Sequence, residues 1–430
     1  MLPDSAEIVI IGGGIAGASI AYHLAELGKR DVVVIEQGSL VSGTTSHAPG
    51  LVGQLRSDVS LTKMLMYSAS LYRNLKLDGA PGFFEVGSLR LASSKARLEE
   101  IKQQADFAAK VGLEVSLLSP REAFDRFPLM DLNGVQGALF VPSDGSASAT
   151  VLAHAMIKGA KRQGVSFVDN NKLLAIDFDG SGPLAITDKK FVTPKQRVKG
   201  IRTAQGYIKT ETVVLAVGIW SPLIAQHTGV ALPLIPMQHQ YAVSSPMKEL
   251  GGRTLPNLRD PDKLVYMRQN EDCFTIGGYE RNPRPFPSIQ IPERKDPSVQ
   301  SFDPAHFEPL LHAAAQRVPC LANGALTKTV NGLESFTPDG EFLLGPATNV
   351  GGVWTACGFC AHGISGAGGV GKVLAEWIVN GEPGLDLSHM DPNRFGTAGS
   401  DEGFIRQNAH QVYSTYYDMK DKIDPARSKA

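Results

Sequence analysis

The chain has few cysteines, no surplus of charge of either sign and no long apolar run, and each absence removes a class of protein. The four cysteines, Cys273, Cys320, Cys357 and Cys360, are too few and too late in the sequence to build a disulfide framework, which fits a reducing compartment. Lys and Arg number 42 against 43 Asp and Glu, a formal net charge of -1 with no long basic run, so the electrostatic footprint of a nucleic-acid binder is missing. Small molecules are the expected partners. Apolar stretches are broken by Gly, Pro or charge before they approach the roughly 20 residues needed to span a bilayer. The chain reaches its first strand within a few residues of Met1, leaving no room for a secretion signal. The expected location is the cytoplasm, or the mitochondrial matrix for a processed eukaryotic protein.

Hydrophobic residues make up 43% and charged residues 20% of the sequence, the balance of a soluble, compact protein. At 430 residues the chain exceeds what one core usually supports, so two connected domains are expected. Glu7 to Ile11 read as a buried strand, Ile15 to Leu27 as an Ala-rich helix ending near Gly28, and Asp31 to Ile35 as a second strand. This βαβ unit opens a doubly wound parallel sheet. From Phe83 to about Phe140 short strands such as Gly87–Ala92 alternate with a charged amphipathic helix, Lys95–Val111. Thr150–Gln163 (helix), Gly164–Val168 and Glu211–Val217 then resume the first domain. Between Leu232 and Thr329 the chain is Pro-rich, and Gln238–Ser244, Lys263–Arg268 and Cys273–Tyr279 suggest an antiparallel sheet. A Gly-rich turn leads into a helix over Gly366–Asn380.

The pattern predicts an α/β fold with a discontinuous dinucleotide-binding domain (1–82, 141–230 and 331–385), an inserted antiparallel-sheet substrate domain (83–140 and 231–330) and a polar, aromatic-dotted C-terminal tail (386–430). No internal repeat or low-complexity segment interrupts it. Function is expected between the two domains.

The strongest local signal is Gly12-Gly13-Gly14-Ile15-Ala16-Gly17 between strand and helix, with Glu36 at the end of the second strand. Gly12 permits a tight turn, Gly14 lets the backbone approach a pyrophosphate, and Gly17 allows close helix packing. The helix N-terminus favours the negative charge, and Glu36 would bond a ribose hydroxyl. The motif alone does not separate FAD from NAD.

With Ser42-Gly43-Thr44-Thr45-Ser46-His47-Ala48-Pro49-Gly50-Leu51-Val52 the chain resembles the dimethylglycine and sarcosine dehydrogenase/oxidase family. Further matches are Val141-Pro142-Ser143-Asp144-Gly145, Leu215–Trp220, His239-Gln240-Tyr241 and Phe336-Thr337-Pro338-Asp339-Gly340, together covering most of the chain. The resemblance implies a glutathione-reductase-like FAD-binding domain with amino-acid-oxidase-like architecture. It also implies FAD attached covalently through the ring of His47, next to Ser46, to the flavin 8α-methyl carbon. Losing electron density at that methyl position should make the flavin a better electron acceptor.

Aligned on the family's Tyr-x-Arg pattern, Tyr266 and His239 resemble its active-site tyrosine and histidine; alignment on the neighbouring leucine would shift the tyrosine by one position. A His–Tyr pair suits the chemistry, because a substituted amine is oxidised only with its nitrogen lone pair free, and such a pair can tune that protonation. Hydride transfer to flavin N5 leaves an iminium, which water hydrolyses to a demethylated amine and formaldehyde. Gly363 and Ile364, in the turn before the last helix, resemble residues that meet the flavin ring, where backbone N–H groups suit its electron-rich carbonyl. Leu173 resembles a position whose backbone meets the adenine. Arg56 and Arg268 are candidates for a substrate carboxylate, although most arginines are surface or structural residues. Cys357-Gly358-Phe359-Cys360 has thioredoxin-like spacing but lies inside the turn that the flavin reading needs.

The expected activity is oxidation of an N-methylated amino acid, dimethylglycine- or sarcosine-like, with oxygen or an electron-transfer protein as acceptor and no metal. Oxidation of an unmethylated amino or imino acid, or a catalytically silent flavin-binding regulatory subunit, are the alternatives. Many family members continue into a folate-binding half that captures the one-carbon unit. The sequence stops before it, and a member without that half should release formaldehyde or pass its product to a separate protein.

Overall fold

A computed structural model describes residues 2–179, 196–291, 300–347 and 350–419. Two β-branched runs, Ile8–Ile11 and Val32–Ile35, are buried at every position, as expected for central strands of a parallel sheet covered on both faces. They sit in a six-stranded sheet ordered Ser166–Val168, Val32–Ile35, Ile8–Ile11, Val213–Leu215, Val353–Cys357, Leu343–Pro346. The pairings are parallel except at the last strand. The helices Ile15–Glu26, Val59–Asn74 and Gly363–Asn380 share one apolar cluster with the strands on one face. A smaller sheet of Leu173–Phe178, Val198–Thr203 and Gly206–Lys209 closes the other face through Ile176, Ile201 and Ile208. The chain therefore has the α/β architecture read from its sequence.

The second body is an eight-stranded sheet ordered Leu326–Phe336, Ile235–Ser244, Cys273–Gly278, Val265–Asn270, Asn257–Asp260, Ser88–Ala92, Gly137–Val141, Ser116–Leu118. It departs from the sequence-based expectation in four ways. Its two pieces join through a parallel pairing of Asn257–Asp260 with Ser88–Ala92, so the sheet is mixed rather than wholly antiparallel. The segment read as strands alone contains the helix Pro304–Arg317, capped by Asp303, which accepts from the His306 N–H, with Pro304 in the first turn. Strand Leu326–Phe336 belongs entirely to this sheet and crosses the expected edge at residue 330. The tail is integral: helix Glu402–Ser414 packs on the strands Ile235–Ser244 and Leu326–Phe336 and buries Ala409 and Tyr413.

Side chains alternate across a strand, and this sheet uses the alternation sharply. Leu89, Leu91, Leu258, Val265, Met267, Phe274, Ile276 and Ala242 face the helix Pro304–Arg317 in one core. Arg317 at its end forms a fully buried ion pair with Asp260, at 2.8 Å. The intervening residues, Arg90, Arg259, Tyr266, Arg268, Gly277, Tyr241 and His239, fall on the opposite face. One side of the sheet is a core and the other a row of cations, phenols and an imidazole.

Candidate functional site

The nucleotide end is made by backbone. Gly12 has φ +112°, and a Cβ there would lie 2.3 Å from the Ala216 carbonyl oxygen; a Cβ on Gly17 would lie 1.9 Å from the Gly12 carbonyl oxygen. No side chain fits at either position. Gly14 caps the helix Ile15–Glu26 without a side-chain hydrogen bond of its own, while Thr45 Oγ1 accepts from the Ile15 N–H at 3.1 Å. Glu36 accepts from Gly13 N at 2.7 Å and from Gly38 N at 2.8 Å, and burial raises its carboxyl above the usual range. A side-chain-free turn at a helix start, with an oriented carboxylate at the adjoining strand end, fits a dinucleotide pyrophosphate and ribose. Leu173 buries its side chain below the smaller sheet, two residues after Asn171, whose N–H bonds the Glu36 carbonyl.

Ser46 and His47 lie in a short 3-10 turn, Thr44–His47, alongside strand Leu326–Phe336. Ser46 Oγ donates to the Gly43 carbonyl at 2.9 Å and lies 2.9 Å from His47 Nδ1, fixing the ring's orientation; His47 Nε2 is buried. Arg268 Nε donates to the Pro49 carbonyl, so it ties this turn to the sheet.

Residues 358–364 form the second loop. Cys360 and Ala361 both adopt positive φ, 42° and 71°, turning the chain so that Gly363 and Ile364 start the helix Gly363–Asn380. Tyr72 Oη donates to the Ile364 carbonyl at 2.8 Å. Both cysteines of the Cys-x-x-Cys are buried free thiols. Cys357 Sγ bonds the Leu215 carbonyl, and Thr337 N donates to Cys360 Sγ. Burial pushes the Cys360 thiol up to about 12, the reverse of a redox-active thiol. Arg56 crosses from the neighbouring segment to the His362 ring, 3.1 Å and 3.3 Å from its two nitrogens.

Below these loops His239 and Tyr266 meet, 2.8 Å between imidazole Nε2 and phenol Oη, with rings nearly parallel. Tyr266 lies across Gly277, where a Cβ would come within 2.2 Å of its hydroxyl; the glycine makes room for the phenol. The chain of hydrogen bonds continues. His239 Nδ1 is 2.9 Å from Tyr413 Oη, Tyr413 donates to Glu280 at 3.1 Å, and Glu280 is 2.9 Å from His306. All are satisfied at once if Tyr266 donates to Nε2 and Nδ1–H donates to Tyr413, a tautomer assigned from the network. Burial lowers His239 to about 4, so the ring is neutral near pH 7. Tyr279 stacks on Tyr416 with ring centres 3.9 Å apart, beside His239 and Tyr417. Glu334, on strand Leu326–Phe336, is 3.5 Å from the Tyr279 hydroxyl, and burial raises its carboxyl to about 8. His239 is thus a neutral imidazole between two phenols, and beside Tyr279 the Glu334 carboxyl keeps its proton near neutral pH.

Sequence reading brought His239 and Tyr266 together but missed Tyr413, Tyr279, Glu280 and Glu334. Strand alternation would have put Glu334 and Phe336 on one face, and the aromatic run Tyr413–Tyr417 was the visible trace of the tail.

Compared with known proteins, residues 7–377 match the family described as FAD dependent oxidoreductase, and residues 380–428 match its central domain. Sarcosine dehydrogenase, mitochondrial, of Homo sapiens is 34% identical over 422 residues, 97% of this chain and 44% of that protein. The pyruvate dehydrogenase phosphatase regulatory subunit, mitochondrial, of Mus musculus is 31% identical over 425 residues, 97% of this chain and 46% of that protein. The chain thus spans less than half the length of these curated relatives. Among solved structures, L-proline dehydrogenase from P. horikoshii superposes with a TM-score of 0.78 at 26% identity, covering 92% of this chain and 98% of that one.

Proposed function

The chain belongs to the FAD-dependent oxidoreductase family, and from that premise we propose that it oxidises an N-methylated amino acid of the dimethylglycine or sarcosine type. The observation that carries the reading is the neutral His239 held between Tyr266 and Tyr413 on the polar face of the sheet. An amine reaches the protein as an ammonium ion and reacts only after losing a proton. A neutral imidazole in a hydrogen-bonded chain can receive that proton through Tyr266 and pass one on through Tyr413 to Glu280. Bound FAD would supply the hydride acceptor at its N5. With one hydride gone from the N-methyl group the amine becomes an iminium. Water adds to it and expels the demethylated amine, formaldehyde and a proton. Gly12, Gly14, Gly17, Glu36 and the backbone at Leu173 are the residues assigned to the nucleotide. Ser46, His47, Gly363 and Ile364 are assigned to the ring, with His47 as the covalent attachment point. Residues 1–82, 141–230 and 331–385 carry these contacts, and the mixed sheet carries the substrate.

Human sarcosine dehydrogenase supports the substrate class by its name, while L-proline dehydrogenase keeps open an unmethylated imino acid. The regulatory subunit keeps open a catalytically silent chain. Anaerobic mixing with sarcosine, dimethylglycine, glycine and proline separates the three. Bleaching of the flavin with formaldehyde release is expected for the first pair; bleaching by proline or glycine without formaldehyde favours the second reading, and no bleaching the third. Acid unfolding tests the linkage: the yellow chromophore is expected to stay on the polypeptide and map to the His47 peptide, and release of all flavin as free FAD refutes it. The acceptor in this reading is oxygen or an electron-transfer protein. Four free cysteines fit a reducing compartment, the cytoplasm or the mitochondrial matrix.

A further inference from the structure

One hydrogen-bonded path leads out of the polar face of the sheet. It starts at Tyr266 and His239, both 3% exposed, and passes through Tyr413, which is 0% exposed. It ends at Glu280 and His306, whose side chains are each 14% exposed. Tyr266 Oη is 2.8 Å from His239 Nε2, and His239 Nδ1 is 2.9 Å from Tyr413 Oη. Tyr413 Oη is then 3.1 Å from Glu280 Oε2, and Glu280 Oε1 is 2.9 Å from His306 Nε2. All four steps are of hydrogen-bond length, and every member can take a proton on one side and give one up on the other. Among the described residues, the His239 ring and the Tyr413 hydroxyl make no other hydrogen bond.

The five side chains come from five separate pieces of chain. Tyr266 and His239 are strand residues, Glu280 follows the strand Cys273–Gly278, His306 lies in the first turn of helix Pro304–Arg317, and Tyr413 lies in the last turn of helix Glu402–Ser414. The outer end is braced. Asp303 Oδ1 accepts from the His306 N–H at 3.1 Å, and Asp303 pairs with Arg284 at 2.7 Å. Next to Glu280, Arg281 bonds the Ser414 carbonyl and pairs with Asp418, holding the end of the tail helix against this corner. His306 Nδ1 makes no hydrogen bond among the described residues. Tyr279 and Glu334 lie beside the path without extending it. The Tyr279 ring centre is 4.8 Å from that of His239, and its hydroxyl turns to Glu334 instead.

We infer that Glu280 and His306 are the outlet through which the proton shed by the substrate ammonium reaches water, a role that rests on the amine-oxidising reading and carries it to the surface. The ammonium proton goes to Tyr266 Oη as the Tyr266 proton moves to His239 Nε2. The Nδ1 proton of His239 passes to Tyr413, and the Tyr413 proton to Glu280. Glu280 is then a carboxylic acid, and it loses that proton to water through the His306 ring, which takes a proton on one nitrogen and releases one from the other. The ammonium loses one proton, water gains one, and each group between gives one and takes one. His239, left protonated on Nε2, returns to its Nδ1–H tautomer before the next turnover.

The test is the rate of anaerobic flavin reduction in weak buffer near neutral pH, using the flavin-loaded protein and whichever amine of the panel above bleaches it. His306→Gln keeps a hydrogen-bonding partner for Glu280 but carries no proton onward, and Glu280→Gln keeps an acceptor for Tyr413. Each should reduce its flavin about 10-fold more slowly than the wild type, less than the loss of a group that meets the substrate directly. His306→Ala should be equally slow and regain most of the wild-type rate as imidazole is added, because free imidazole fills a gap at the surface. Glu280→Gln, whose gap lies inside, and the wild type should not respond to imidazole. A wild-type rate in either Gln variant, or a slow His306→Ala that imidazole leaves slow, overturns the outlet while the bleaching of the wild type keeps the amine-oxidising reading in place. If no amine bleaches the wild type, that reading falls and the outlet falls with it.

Discussion

The proposed nucleotide end and the proposed amine end of the molecule are built by opposite means. The first is backbone: nothing larger than glycine fits at Gly12 and Gly17, and the groups proposed to meet the nucleotide are N–H dipoles at a helix start. The second is side chains: His239 and Tyr266 come from two strands, Glu280 from the chain just after a third and Tyr413 from the C-terminal helix, and no two are adjacent in sequence. A backbone site tolerates no change in side-chain volume, whereas a side-chain site tolerates volume and fails when a donor or acceptor is removed. Breaking each end should therefore fail in a different way.

The largest effect is expected at the nucleotide end. Gly17→Ala puts a Cβ 1.9 Å from the Gly12 carbonyl oxygen, a distance that cannot exist without moving the turn or the helix. Purified protein should carry less than about a tenth of the wild-type flavin and lose activity in proportion, since a displaced turn no longer presents its N–H groups. The flavin-to-protein absorbance ratio measures this. A variant with full flavin content would show that the turn relaxes freely and that the contrast between the two ends is wrong.

At the amine end the flavin should stay and the rate should go. Tyr266→Phe and His239→Ala remove partners of a buried hydrogen bond while leaving the nucleotide turn untouched, and a loss of about 100-fold or more in the rate of flavin reduction is expected. Tyr413→Phe leaves the His239–Tyr266 contact in place and cuts only the onward link to Glu280, so its cost should be smaller, about 10-fold, and steeper at low pH, where more of the amine must shed its proton. Rapid-mixing reduction of the flavin between pH 6 and 10 checks both. Equal losses for Tyr413→Phe and Tyr266→Phe at every pH would mean that Tyr413 only packs.

The same contrast explains what the sequence discloses. The glycines, the acid at Glu36 and the Ser46–His47 turn stand out in the sequence because each motif lies within its own stretch of chain, and the element boundaries nearby agree within a residue or two. The mixed sheet is harder. Its parallel junction pairs residues 88–90 with 257–259, a long-range choice with no local signature. The helix Pro304–Arg317 did carry one, Asp303-Pro304 ahead of apolar Phe307, Leu310 and Ala314, but the surrounding prolines masked it. Arg90 and Arg259 read as ordinary strand cations until the register sets them side by side. Tyr413 and Tyr417 gain meaning only when the tail folds back, because their partners lie more than a hundred residues earlier.

Glu334 offers the smallest test, and one that separates electrostatics from packing. Its carboxyl is raised by burial from 4.5 to about 8, so the folded protein keeps a proton that the unfolded chain gives up. The stabilisation tied to that proton is complete below pH 4.5 and disappears as the pH rises toward 8. Glu334→Gln keeps the shape and a hydrogen-bonding group near Tyr279 but cannot ionise. Its melting temperature relative to wild type should therefore climb between pH 5 and 8 and level off above, by about 2–5 °C in total for a chain of this size. Every other titrating group is common to both proteins and cancels in the difference. A gap that stays constant across this range would mean that Glu334 ionises as it would in water, and that the wall beside Tyr279 is wetter than the packing of Tyr279, Tyr416 and Tyr417 implies.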